Sequence, residues 1–198
     1  YLPELLVTAS RFGTGITGAS NSVISDEDIA RSPGTTLQDV LAREPGIQVR
    51  SLFGAVNGAQ STVDMRGFGA TATSNPLVLI NGRRLNDVDM AGVDFSAIPK
   101  ASIERIEITR GNSGAVLYGD GAVGGVINII TKAGADLPPS LRIPSAFGSY
   151  RTYEGNGSAA RPVGGLSAAV YANGGSADGG RVHNKLKQKN AGGEFRRS

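Results

Sequence analysis

The chain has 198 residues, of which 39% are hydrophobic and 19% charged, a balance that suits one ordered domain, or one domain and part of another, and not a disordered chain. It contains no cysteine, which excludes thiol catalysis, cysteine-held metals and disulfides, and it has no apolar run near the ~20 residues a spanning helix needs. The net charge of +3 sits at the end of the chain: residues 181–198 hold six Lys/Arg and one Glu, a net of +5, which leaves −2 for residues 1–180. A basic tail on a slightly acidic body is not a nucleic-acid surface, which would spread cations over a folded face among stacking aromatics.

The chain opens at Tyr1, not at Met, which is compatible with removal of an upstream targeting segment. Glu4, Leu5, Leu6, Val7, Thr8 and Ala9 form a strand-like stretch set off by Gly13, Gly15 and Gly18. It reads equally as an edge strand of the domain or as a peptide offered to a partner by strand addition. Two short helices are predicted next. Ser25 caps DEDIA, whose acids favour the positive end of the helix dipole, and Pro33 stops it. Thr35 and Gln38 have capping-box spacing at the head of TLQDVLAR, with Leu37, Val40 and Leu41 on one face. GIQVR and STVDM read as strands around a loop at 51–60.

LVLINGRRLN is the clearest local signal. Asn81-Gly82 is a type I′ turn dipeptide, and LVLI is apolar throughout, so that strand should be covered on both faces. After an acid-containing loop, IERIEITR alternates, with Ile106 and Ile108 on one face and Arg105, Glu107 and Thr109 on the other. VINIIT should be a central strand. Beyond the proline linker ADLPPS, helical signals stop. GLSAAVYAN places Leu166, Ala168, Val170 and Ala172 in one apolar row, a pattern that suits either a barrel wall or a half-buried soluble strand.

Gly119, Gly121 and Gly124 have the spacing of a dinucleotide-binding turn. That turn must open a helix, whose N-terminus holds the pyrophosphate, whereas here the glycines run into VINIIT. The sole histidine, His183, lies in the basic tail, so neither a His-dependent triad nor a His-rich metal site can be built in the body. The carboxylate pairs Asp87/Asp89 and Glu104/Glu107 read as solvated charge or surface ion pairs; Asp87, Asp89 and Asp94 are a weak cation cluster at most. An enzyme is not expected, and neither a cofactor nor a resident metal is.

MRGFG (65–69), LVLINGRRL (77–85), IERIEITRG (103–111) and AVLYGDGAVGGVINIITK (115–132), in this order and spacing, resemble the plug domain of TonB-dependent outer-membrane receptors. ELLVTAS at 4–10 resembles that family's TonB box. The resemblance implies an α+β plug, a small mixed sheet with short helices, followed by antiparallel β-strands of an incomplete transmembrane barrel. It implies a TonB box and linker at 1–18, a plug at 19–134, and a linker with the first barrel strands at 135–198. The implied function is gating of energised uptake of a scarce ligand such as a siderophore, cobalamin or haem. TonB would pair with the box in the periplasm, and the plug would sit within its own barrel in the outer membrane of a Gram-negative bacterium. The ligand is a small molecule or metal chelate; no nucleic acid is a partner. Arg66 and Arg110 would latch the plug to barrel glutamates. Phe53, Asn57, Asn75, Asn86, Asp89 and Met90, on the loops 51–60, 70–75 and 86–94, are the candidate ligand contacts. The competing expectation is a truncated, plug-like soluble module that binds a ligand or a TonB-like partner without transport.

Overall fold

Five strands build the central sheet. The computed structural model describes residues 20–33, 36–51, 61–86, 92–112, 115, 118, 119, 121–132, 140–142, 145–148, 151–163, 166–178 and 186–197. In chain order the first strands are β1 (Ser20–Ser25), β2 (Ile47–Ser51), β3 (Ser61–Met65), β4 (Pro76–Ile80), β5 (Arg83–Arg84), β6 (Ile103–Arg110) and β7 (Gly125–Thr131). The sheet has the order β1-β6-β7-β4-β5, with β4 and β7 parallel and the other pairs antiparallel; β2 and β3 form a separate antiparallel pair. The central place of β7 follows from its composition. Val126, Ile127 and Ile129 are fully buried, and a strand flanked on both edges and covered on both faces must be apolar nearly throughout.

Alternation divides the sheet into two faces. Ile24, Ile106, Ile108, Ile127, Ile129 and Val78 pack with Leu37, Val40, Leu41, Val63 and Met65 into the main core. On the opposite face Leu77, Leu79 and Val126 pack with Ala122 and Tyr118. Each fully buried Ile or Leu contributes about 1.5–3 kcal/mol, so the first layer supplies most of the apolar stabilisation of this sheet. Glu107 departs from the expectation of a solvated charge or a surface ion pair in being buried: it is 7% exposed, and its ion pair with Arg105 lies inside the sheet. It lies between β1 and β7, accepts from Arg105 Nε at 3.0 Å and from Asn128 Nδ2 at 3.2 Å, and is thereby satisfied in the sheet. Asn128 Oδ1 in turn accepts from the Gly82 amide of the β4–β5 turn. That turn has φ of 49° at Asn81 and 78° at Gly82, as a type I′ hairpin requires.

Two helices cover the main core. α1 (Asp26–Arg31) is capped by Ser25 in a capping box with Asp28, as the sequence suggests. The Ser25 hydroxyl, followed by its backbone N–H and the Arg31 charge, holds the Asp28 carboxyl below its ordinary range. α2 (Leu37–Leu41) corrects the expectation at its start. Its capping box is Thr36 with Asp39, one residue later than Thr35 with Gln38. The shift turns Gln38 inward, where its Oε1 accepts from Ser61 Oγ at 2.7 Å in the buried interior. Lys100 donates to the Ser32 carbonyl at 2.6 Å, and burial pulls its pKa down.

The remaining strands are β8 (Ser140–Arg142), β9 (Ser145–Gly148), β10 (Thr152–Val163), β11 (Leu166–Ala177) and β12 (Leu186–Arg197). They form an antiparallel sheet in which β10 pairs β8, β9 and β11, and β11 pairs β12. Most of the basic stretch read as a tail is β12, a full 12-residue strand. No helix among the described residues is long and apolar enough to cross a membrane, which says nothing of a β-barrel.

Candidate functional site

One transverse row of the central sheet runs Ser20–Arg110–Gly125–Pro76. Four of the residues singled out in the sequence gather at this end: Arg110 in the row, Asn75 just before Pro76, Asn86 beside it, and Arg66 at the end of β3. Asn86 accepts from the Val78 amide at 2.6 Å and donates to the Pro76 carbonyl at 3.1 Å, so its side chain completes the edge of β4. Asn75 donates to the Thr71 carbonyl at 2.8 Å and caps the 3-10 helix Gly69–Ser74. Both amides are therefore engaged with backbone.

Arg110 reaches back across the α2–β2 corner. Its Nη2 donates to Glu44 Oε2 at 3.1 Å, its Nη1 to Ser22 Oγ at 2.9 Å and its Nε to the Pro45 carbonyl at 3.1 Å. Ser22 Oγ also donates to Glu44 Oε2 at 3.3 Å. A guanidinium carries five N–H donors, so two remain for a further acceptor. Arg66 stands beside it: its guanidinium packs on Gly111, the residue after Arg110. Its own side chain has neither a hydrogen bond nor an ion pair among the described residues. Arg110 is matched by Glu44, and its two remaining N–H groups together with the Arg66 guanidinium can receive further carboxylate oxygens.

Asp64 sets the position of Arg66. Its carboxylate, 3% exposed, accepts from the amides of Phe68 at 2.8 Å and Gly69 at 2.9 Å. These bonds close the RGFG segment into a hook in which Arg66, Gly67 and Gly69 all have positive φ. Arg66 at φ 74° is a left-handed non-glycine residue, a conformation that costs roughly 1–2 kcal/mol and persists because the Asp64 clamp fixes it. Gly125 closes the other side. A Cβ there would stand 2.5 Å from the Thr109 carbonyl and 2.8 Å from Met65 Cε, so only glycine lets β7 start so near β3 and β6.

The opposite end of the β2–β3 pair carries a second feature. Ser61 and Val93 exchange backbone hydrogen bonds, 2.9 Å from Ser61 N to Val93 O and 2.7 Å from Val93 N to Ser61 O. This bridge ties the end of the 52–60 loop to the end of the 87–91 loop. Phe53, Asn57, Asp89 and Met90 lie in these loops, outside the described residues, but their anchors are side by side. Asn75 and Asn86, the two candidate contacts among the described residues, belong to the other end of β3. Glu4 to Ala9, Asp87 and His183 also lie outside the described residues. Asp94 caps the 3-10 helix Phe95–Ala97. Among the described residues no group of three or more His, Cys, Asp or Glu is arranged to hold a metal.

Sequence reasoning passed over Asp64, Glu44 and Ser22. Asp64 carried a usable signal, since an aspartate followed by Gly67 and Gly69 suits a side-chain clamp on a turn. Glu44 and Ser22 carried none, because their partner lies far along the chain.

A family model described as the TonB-dependent receptor plug domain matches residues 16–126. The vitamin B12 transporter BtuB of Photobacterium profundum is 43% identical over 129 residues, covering 64% of this chain and 20% of the relative. BtuB of Vibrio vulnificus is 36% identical over 173 residues, covering 86% of this chain and 26% of the relative. Among solved structures, the ferric enterobactin receptor PfeA of Pseudomonas aeruginosa superposes with a TM-score of 0.59 at 29% identity, over 80% of this chain and 25% of that one. The chain thus spans about a fifth to a quarter of the length of these relatives.

Proposed function

The chain belongs to the plug-domain family of TonB-dependent receptors, and we propose that it gates energised uptake of a scarce ligand across an outer membrane. TonB-dependent receptors are outer-membrane proteins of Gram-negative bacteria. In this reading the chain sits there too, with residues 1–18 as TonB box and linker, 19–134 as plug and 135–198 as the first strands of the wall. The observation that carries the reading is continuity: a plug sheet is followed in one chain by long antiparallel strands in unbroken register. The named activities of its relatives point to a metal chelate as cargo, a cobalamin or a ferric siderophore.

Ligand then settles over the segments 52–60 and 87–91, which carry Phe53, Asn57, Asp89 and Met90. Displacement there is felt through the Ser61–Val93 bridge and the buried Ser61–Gln38 bond beneath it. At the other end Arg66 and the two remaining Arg110 N–H groups face glutamates of the barrel and hold the plug until force arrives. TonB pairs with Glu4 to Ala9 as an added strand, a mode that needs free backbone donors more than particular side chains.

The test is growth of a receptor-deletion strain, complemented with this receptor, on cobalamin and on ferric siderophores as sole sources. Val7→Pro removes a pairing donor and should abolish uptake while ligand binding to isolated membranes is kept. Full uptake by that variant would remove Glu4 to Ala9 as the coupling segment.

A further inference from the structure

The strands β9 to β12 carry an exposed surface that the gating reading does not use. Phe147 is 79% exposed and Tyr153 is 53% exposed, and their rings meet edge to face with centroids 5.8 Å apart. The register extends this pair across the sheet as Phe147–Tyr153–Ser176–Lys187, and the adjacent row on the same face is Ser145–Gly155–Gly174–Lys189. Lys187 and Lys189 are exposed and have no ion-pair partner among the described residues. The next rows on this face are Gly157–Ala172–Ala191 and Ala159–Val170–Gly193, with Val170 51% exposed. Aromatic rings and lysines thus sit directly beside an exposed surface of small and apolar side chains.

The connections say which end of the strands this is. β10 and β11 are joined by residues 164–165, whereas β11 and β12 are joined by 178–185, at the end that holds the rings and lysines. Outer-membrane barrels keep short turns on the periplasmic side and longer loops outside. Arg151, just before β10, and Asp178, just after β11, pair at 3.4 Å at that same end. From Gly174 to Leu166, about eight residues at ~3.4 Å each and a tilt of about 40° give ~20 Å of height, near the ~25 Å of an outward apolar band.

We propose that Lys187 and Lys189, with the Phe147–Tyr153 pair, form a binding surface for net-anionic, phosphate-bearing lipid head groups of the outer leaflet. The ammonium groups meet the phosphates, the rings sit at head-group depth with the Tyr153 hydroxyl wet, and the acyl chains lie over Ala172, Ala191, Ala159 and Val170. Charge complementarity names the occupant: an aqueous lumen would not place exposed rings next to apolar rows, and a protein partner would not need both. The proposal rests on the reading of these strands as barrel wall.

The test uses the full-length receptor in nanodiscs of phosphatidylglycerol or of phosphatidylcholine, with retained lipids weighed by native mass spectrometry. Lys187→Gln with Lys189→Gln should weaken phosphatidylglycerol retention on the order of tenfold and leave phosphatidylcholine retention unchanged. Millimolar inorganic phosphate should not displace the lipid. Equal retention by wild type and variant, or displacement by inorganic phosphate, overturns the proposal. A nitroxide at Ala172→Cys separates the two readings. Contact with oxygen in preference to aqueous nickel supports the wall, whatever the lysines do. The reverse preference removes the wall, and the head-group surface with it.

Discussion

Arg66 lies over the backbone of Gly111, its Nη2 2.8 Å from where a Cβ on that glycine would stand. The contact sets two arginines side by side, because Arg110 is the neighbour of Gly111 in sequence. Gly111 is at φ 88°, so Gly111→Ala meets both a strained backbone and a guanidinium. The guanidinium can swing aside; the backbone cannot. Gly111→Ala should therefore cost about 1–2 kcal/mol, read as a shift in the denaturant midpoint of the plug within the whole receptor. A shift worth under about 0.5 kcal/mol would mean that this turn does not constrain the corner.

Asp64 tests the hook itself. Asp64→Ala leaves the Phe68 and Gly69 amides without their acceptor and should destabilise the plug by roughly 2–3 kcal/mol. Asp64→Asn keeps one acceptor oxygen and should lose about half as much. Limited proteolysis within 66–69 gives a local readout. If cleavage there is unchanged in the alanine variant, the carboxylate is not what closes the hook.

The Glu44–Arg110 pair has side chains only 22% and 17% exposed, so its partners are poorly placed to turn to water instead. Glu44→Ala should cost about 1–3 kcal/mol by leaving a half-buried guanidinium short of an acceptor. Glu44→Met combined with Arg110→Met should cost less than the sum of the single changes, with a coupling of about 1 kcal/mol in a double-mutant cycle. Additive losses would count against a direct interaction.

Asp28 predicts an acid-side dependence. Its folded carboxyl lies below the ordinary value of 3.8, chiefly through the Ser25 hydroxyl. A lowered folded pKa contributes stability at pH above the ordinary value, and that contribution is lost as the pH falls through the folded one. Asp28→Asn should therefore be less stable than wild type at neutral pH, and the gap should close as the pH drops below the ordinary value. Because Asp28 is solvated, the effect is small and should shrink further in high salt. A gap that stays constant with pH would assign the cap to geometry alone.

Signals carried by neighbouring residues were the legible ones. Asn81-Gly82 announced the hairpin because few other dipeptides tolerate two positive φ values in succession. The β-branched run of β7, apolar apart from Asn128 and Thr131, announced the centre of the sheet. β1 went unread, since SNSVIS has only Val23 and Ile24 to suggest a strand, and it is a strand because β6 offers it an edge. The start of α2 was misplaced by one residue because two adjacent threonines each have a possible acceptor three positions on, and burial of Gln38 under Ser61 decides between them. Glu107 read as solvated or surface-paired because alternation reports which face a residue is on, not what covers that face. For the site, Arg66 and Arg110 came from family resemblance; that they share a corner depends on Gly111 and Asp64, which only the folded chain brings together.

The position of β1 has a mechanical consequence. It is an edge strand of the central sheet, and residues 1–19 precede it in the chain. A tensile load carried by those residues enters the sheet through a single interstrand ladder, Ser20–Arg110 to Ser25–Arg105, together with the Ser22 bonds to Arg110 and Glu44. β6, β7 and β4 hold one another without it. The smallest piece that such a load can draw out is therefore one strand, with β6, β7 and β4 still paired to one another.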